Sequence, residues 1–359
     1  MKKNLFVLLS IVLIISCERN KIENVEVIEI LNEQIDIEFW PIKVVENSDT
    51  SFIVFGSDNS NSGFSKHCCY EINNQGKLIR KKYFSAINEI IDAIVFNNKI
   101  SAFYTDNIYE LSRETMEFDS IANNNLYNAK RILNLNEVSY LLFDAGFFSG
   151  KHYDLMNVSF DGDIIWHKKL DADSIALSVS DAIQLSNGNF VFGGFDSSSP
   201  NESLFCVNNK GETLWKKDNR VSHLASTKDG GFISIGIDGF LHSFTAKVIM
   251  SKFDMNGTEV WQRLYEINPF KLDNYEDFHL FQAEDDYYVF SYITSNDNLK
   301  IEVINSNGKL VKSYITDINF PIGWGYIAMM ETENSDLLII YNPSYTEQYF
   351  KIRLFSFKF

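Results

Sequence analysis

Basic residues are scarce in this chain and gather nowhere beyond the three of Arg80-Lys81-Lys82. Its 359 residues carry 32 Lys and Arg against 48 Asp and Glu, a formal charge of -16. With no longer run of Lys and Arg there is no footprint for a phosphate backbone, and an acidic surface repels one, so nucleic acid is excluded as a partner. Cysteine is scarce too. Cys17, Cys68, Cys69 and Cys206 are too few and too irregularly spaced for a disulfide framework or a zinc cage, so stability has to come from packing. Cys68 and Cys69 are neighbours that point to opposite faces of a strand, which reads them as small buried apolar residues; a vicinal disulfide or a bridge to Cys206 is the alternative. Helical periodicity is nearly missing from residue 38 onward. Also missing are a Gly-rich phosphate loop, a Gly-x-Ser-x-Gly elbow and a His-Glu-x-x-His pair, which removes motif support for nucleotide hydrolysis, an elbow-type esterase or a zincin.

What is present begins at the N-terminus. Lys2 and Lys3 precede an apolar run from Leu5 to Ile15, too short to span a bilayer and laid out as a secretion signal. It ends in Ile14-Ile15-Ser16-Cys17, which resembles the lipobox of bacterial lipoproteins; a plain secretory signal with an incidental cysteine is the alternative. The resemblance implies that residues 1–16 are removed and that Cys17 receives lipid. Residues 17–37 then form a tether that includes a strand candidate at about 25–33. Loss of Lys2 and Lys3 takes the charge from -16 to -18, so lipid rather than charge would hold the protein to a membrane. The expected location is the cell envelope, at the outer membrane, facing either the periplasm or the cell surface.

From residue 38 on, short β-branched and aromatic runs alternate with turns rich in Asn, Asp and Gly. One hairpin type has polar turns such as Ser186-Asn-Gly-Asn189 and Lys228-Asp-Gly-Gly231. The second repeats a wording: "SFDGDIIW", "NNKGETLW" and "DMNGTEVW" place Trp four residues after a turn glycine, as Gly162 and Trp166, Gly211 and Trp215, and Gly257 and Trp261. Glycine supplies the positive φ that closes the turn, and the fixed offset returns the ring to one packing slot in each copy. Gly76 and Gly308 keep the turn but place Arg80 and Lys312 at the Trp position, which reads as decay of those copies. Turn glycines at 76, 162, 211, 257 and 308 are 86, 49, 46 and 51 residues apart, and a degenerate copy at 107–121 divides the first gap. Four strands per unit with this period predict an all-β chain folded as a single β-propeller over residues 38–359. The units fall at about 38–84, 87–122, 128–171, 180–217, 221–265, 277–315 and 324–359, giving seven blades, with six or eight also compatible with the spacing. The last lacks an outgoing strand, which the 25–33 segment would supply.

The Asp-x-x-Gly-x-x-x-Trp wording, with the Asp-Gly-Gly-Phe hairpin, resembles the repeat of quinoprotein-like propellers (PQQ-type repeats) and of propeller-bearing lipoproteins of Gram-negative bacteria. The resemblance covers roughly residues 38–359 and implies the fold; its members range from quinone-dependent dehydrogenases to scaffold lipoproteins that assist outer-membrane barrel assembly. This chain lacks a recognisable calcium or quinone ligand set, so no cofactor or metal is expected, and its seven units depart from the eight blades of the barrel-assembly scaffolds.

In a propeller the inner strands line a channel, and the loops between second and third strands gather on one face. Those loops fall at 57–67, 148–152, 196–203, 238–246, 294–298 and 342–348, with polar and aromatic compositions that suit binding. Aligning the units places Asp92, Asp181, His223 and His279 near the start of the innermost strands, where they would converge. Two carboxylates and two imidazoles could hold a metal or do acid-base work, or simply cap strand ends and hold channel water. His67, His152, His167 and His242 are read as loop or packing residues. Trp166, Trp215 and Trp261 read as blade packing rather than a sugar platform, whereas Trp324, between Gly323 and Gly325, is the one aromatic candidate for ligand contact. The expected function is a non-enzymatic lipoprotein with a monomeric domain that offers its loop face to a protein or glycan partner. The rival is an envelope hydrolase or lyase using the Asp92, Asp181, His223 and His279 cluster.

Overall fold

The computed structural model describes residues 25–358 except 38, 49, 59–65, 84–89, 97–98, 105–107, 122–128, 137–138, 146–151, 160–162, 172–177, 196–202, 220, 239–246, 267–277, 284–285, 295–297, 320–326 and 344–348. Cys17, His242, Trp324, Gly162 and most of the expected binding loops lie outside the described residues. Within them the regular structure is β-strand, arranged as seven four-stranded antiparallel sheets. Six are consecutive meanders, covering 39–83, 90–121, 129–171, 178–218, 223–266 and 278–319. The seventh joins three C-terminal strands, Ile327–Glu331, Leu337–Tyr341 and Phe350–Lys358, to the N-terminal strand Glu26–Ile35, which lies antiparallel to the last and forms the outer edge.

The core lies between sheets rather than within any one of them. Val45, Ile53, Phe55 and Cys69 of the first sheet pack on Ile90, Ala93, Ile100 and Tyr104 of the second. On its other face Phe52, Val54, Cys68 and Tyr70 pack on Leu338, Ile340 and Ile352 of the seventh. Comparable clusters join the second and third sheets, and so on to the sixth and seventh. The innermost strands also adjoin in sequence and return from the seventh sheet to the first, so the architecture is a closed β-propeller. Cys68 and Cys69 therefore serve opposite interfaces. Both are fully buried and unpaired, as is Cys206, and burial pushes the thiols of Cys68 and Cys206 up to about 12.

The repeated turn wording has two mechanical consequences. An Asn or Asp three residues before the glycine uses its side-chain oxygen to accept amides two and four residues on: Asn208 from Lys210 and Glu212 at 2.9 and 3.0 Å, Asp254 from Asn256 and Thr258 at 2.9 and 2.7 Å, Asn305 from Asn307 and Lys309 at 3.1 and 3.0 Å. Such Asx turns fix the hairpin before tertiary contact. The glycine then sits on the preceding sheet's tryptophan. A Cβ added at Gly211 would lie 2.9 Å from Trp166, at Gly257 2.7 Å from Trp215, and at Gly308 2.9 Å from Trp261, while the Trp261 indole N–H donates to the Ser306 carbonyl at 2.7 Å. Trp166, Trp215 and Trp261 are thus packing residues. Arg80 is not a decayed copy: from the same position its guanidinium donates to the Glu114 carbonyl and, at 3.2 Å, to the Arg113 carbonyl in the next sheet's turn. His67, expected in a loop, is instead in the strand Lys66–Asn73, buried edge-on to Tyr104 at 5.8 Å. His152 likewise opens the strand His152–Ser159, and His167, beside Trp166, pairs with Asp154 at 2.5 Å.

Two glycine replacements separate turn strain from packing between sheets. Gly188 (φ 81°) has nothing within 4 Å of an added Cβ, whereas Gly257 (φ 76°) has the Trp215 ring there. Gly188→Ala should cost about 1 kcal/mol in urea unfolding, and Gly257→Ala about 2–4 kcal/mol, since the same strain is joined by a clash in a packed interface. Equal losses would show that the glycine seat on the tryptophan contributes nothing.

Candidate functional site

The innermost strands converge on a central cavity of about 390 Å³. Its wall is a ring with one position from each sheet in turn: Lys43, Asp92, Arg131, Asp181, His223, His279 and Ile327. All four of the side chains expected to converge do so. Lys43 and Arg131 stand at the equivalent positions of the first and third sheets; the same alignment of units reaches them, although their residue types carry no acid-base or metal-ligand cue.

Backbone geometry explains why these side chains face the axis. The pairing of the inner strand with its neighbour slips by one residue between Pro41 and Lys43, Ile90 and Asp92, Ala129 and Arg131, and Val179 and Asp181. Each of these four charged residues thus follows a β-bulge, a device that re-aims the next side chain. His223 and His279 reach the ring without one, from the first and second positions of short strands.

Each carboxylate then meets a cation from the adjoining sheet. Lys43 Nζ lies 2.5 Å from Asp92 Oδ1, which also accepts the Ala93 amide at 2.9 Å. Asp181 has donors on both oxygens: Arg131 Nε at 3.3 Å and the Ala182 amide at 2.8 Å on Oδ1, the Leu224 amide at 2.8 Å and His223 Nδ1 at 3.5 Å on Oδ2. Burial by itself would raise the Asp181 pKa, but the His223 hydrogen bond and the Arg131 charge outweigh it and hold the carboxyl at about 2. His279 is opposite in kind. Burial, helped by His223 and Lys43 and opposed by Asp181, drives its pKa down to about 3, and its buried Nε2 has no hydrogen-bond partner among the described residues. The ring therefore holds a neutral imidazole beside fixed ion pairs. Among the described residues no three His, Cys, Asp or Glu side chains are placed to share a metal ion.

Acid should unfold the protein through this ring. The folded His279 pKa lies below its ordinary value of 6.5, so its contribution to stability is complete above about 6.5 and is lost as pH falls from there toward 3. The depressed Asp181 continues the loss between 3.8 and about 2. The unfolding free energy from urea titrations should fall between pH 7 and 4 by up to about 1.4 kcal/mol per pH unit, and His279→Gln should flatten that slope. Parallel slopes for the two proteins would place the acid sensitivity elsewhere.

No family model matches the chain, and no curated protein does. Solved structures do match. BamB from Moraxella catarrhalis is similar at 10% identity and a TM-score of 0.51, over 91% of this chain and 99% of that one. The WD40 domain of Pan2 from Neurospora crassa is similar at 8% identity and 0.58, over 91% and 95%. The N-terminal domain of Nup159 is similar at 12% identity and 0.53, over 93% and 96%. At these identities the likeness is one of fold: the chain is a β-propeller across nearly its whole described length.

Proposed function

We propose that this chain is a lipid-anchored protein of the bacterial cell envelope, tethered at the outer membrane through Cys17. Its seven sheets are the seven blades of one quinoprotein-like propeller, and its loop face recruits a protein or glycan partner without chemistry of its own. The observation that carries this reading is how the N-terminal strand enters the ring. Glu26 pairs with Lys358 and Ile35 with Phe350, and Val25 is buried in a cluster with Ala283 and Leu337, which flank the tight hairpin turns at one face. The other end of the strand leads to Phe39 and the inner strand that carries Lys43. Residues 17–24 reach at most ~28 Å when fully extended. An anchor at Cys17 would therefore hold the hairpin-turn face toward the bilayer and turn the loop face, with the charged ring near it, toward a partner.

The ring favours recognition over catalysis. Asp181 has donors on both oxygens, which leaves it a poor base, and the rival hydrolase or lyase reading loses its best-placed carboxylate. The turn wording, which resembles that of propeller-bearing envelope lipoproteins, supports a scaffold role, and the likeness to BamB supports the propeller fold on which it rests.

Replacing Cys17 by Ser should move the protein from the membrane to the soluble fraction and abolish its labelling by radioactive palmitate. Photocrosslinkers placed at 57–67 or 196–203 should trap one dominant species in whole cells. Retained membrane association in Cys17→Ser, or diffuse labelling from both loops, would contradict the anchor and the partner respectively.

A further inference from the structure

The ring departs from the acidity of the molecule around it. The chain as a whole is strongly acidic, yet the two carboxylates that line the cavity are set into the wall: the side chains of Asp92 and Asp181 are 8% and 16% exposed, against 38% for Lys43 and 27% for Arg131. The carboxylates face backbone amides and their paired cations, while the cations look into the cavity. Among the described residues no other carboxylate lines it. An ammonium has three donors, so Lys43 retains N–H groups beyond its contact with Asp92. Across the axis the described residues of the seventh sheet that line the cavity are the apolar Ile327, Ala328 and Met329.

We infer that the central cavity is a binding site for a small organic carboxylate, its acid group held by Lys43 and Arg131 and its carbon body laid against Ile327 and Met329. A volume of about 390 Å³ accommodates on the order of a dozen non-hydrogen atoms, which sets the size of the occupant. A neutral molecule of the same shape offers no charge to the remaining Lys43 N–H groups, so discrimination comes from the charge; charge-assisted hydrogen bonds to a carboxylate are the strong kind. The neutral state of His279 adds no competing charge across the ring. Asp92 and Asp181 serve here as positioning residues that hold Lys43 and Arg131 against the cavity wall.

Calorimetric titration of the purified full chain tests this at low salt, with glucuronate, citrate and benzoate set against the neutral counterparts glucose, inositol and benzamide. At least one acid should bind saturably, its neutral counterpart should not, and added sodium chloride should weaken the acid several-fold. Lys43→Gln should weaken binding about tenfold or more, the size of one charge-assisted contact, and Lys43→Arg should restore most of it. If Lys43→Gln loses the cooperative melting transition, Lys43→Arg and the salt response of the wild type decide the matter. The inference is overturned if no acid binds more tightly than its neutral counterpart up to about 10 mM, or if binding survives Lys43→Gln or ignores salt. None of these measurements depends on Cys17 or on the loop-face partner, so a failure here leaves the anchored-scaffold reading intact and the reverse also holds.

Discussion

A four-stranded antiparallel sheet with two apolar faces cannot exist alone in water, and that constraint organises this protein. The strand Leu337–Tyr341 states it most plainly. All five of its residues are buried, and they alternate between partners: Leu337, Ile339 and Tyr341 enter the core shared with the sixth sheet, Leu338 and Ile340 the core shared with the first. Each large apolar side chain buried this way is worth about 1.5–3 kcal/mol, and both faces have to be served at once. A stack of such sheets satisfies its interior members but leaves two end faces wet. Bending the stack into a ring removes the ends.

Closure then concentrates demands at two places. At the rim, neighbouring sheets must hold a fixed height relative to one another, and the seat of each turn glycine on the preceding tryptophan sets it. Where tryptophan is absent other side chains make the link: Arg80 reaches the carbonyls of the next turn, and the aliphatic carbons of Leu31 and Glu33 of the N-terminal strand stand against Gly76. At the seam, Arg353, only 3% exposed, bonds Glu29 of the N-terminal strand and Asp317 of the sixth sheet at 2.7 Å. A buried cation held by two carboxylates joins the two ends of the chain and the preceding sheet in one contact, with directional bonds that apolar packing does not provide.

How much of this was legible follows from the range of each signal. The hairpin turns were, because Asp254, Asn256 and Gly257 determine their turn almost alone, and a repeat of local signals betrays a repeat of structure. The convergence of Asp92, Asp181, His223 and His279 was legible for the same reason, since position within a unit maps to position around the axis. Lys43 and Arg131 were reachable by that alignment but carried no residue-type cue. The bulges that aim four of these side chains were not legible, because a one-residue slip in pairing depends on the partner strand and leaves no mark in its own sequence. The role of Arg80 was hidden likewise: its partners, the Arg113 and Glu114 carbonyls, lie in another sheet, and backbone acceptors have no sequence identity.

The polar ring follows from the geometry of closure. Inner strands approach the axis where too few neighbours remain to bury a large apolar side chain on every sheet, so polar residues collect there, crowded at short range in a narrow space. Like charges in that crowd would repel strongly, and lone charges would be poorly solvated. The order Lys, Asp, Arg, Asp around successive sheets resolves both problems, since every charge has an opposite charge on an adjoining sheet. It also ties strands that share no backbone hydrogen bond, adding directional contacts near the axis to those at the rim. Bulges aim all four toward the axis, and backbone amides then draw the carboxylates back to the wall. By sinking the carboxylates against backbone amides and leaving the cations toward the lumen, the ring acquires a polarity that neither its own composition nor that of the whole acidic chain possesses.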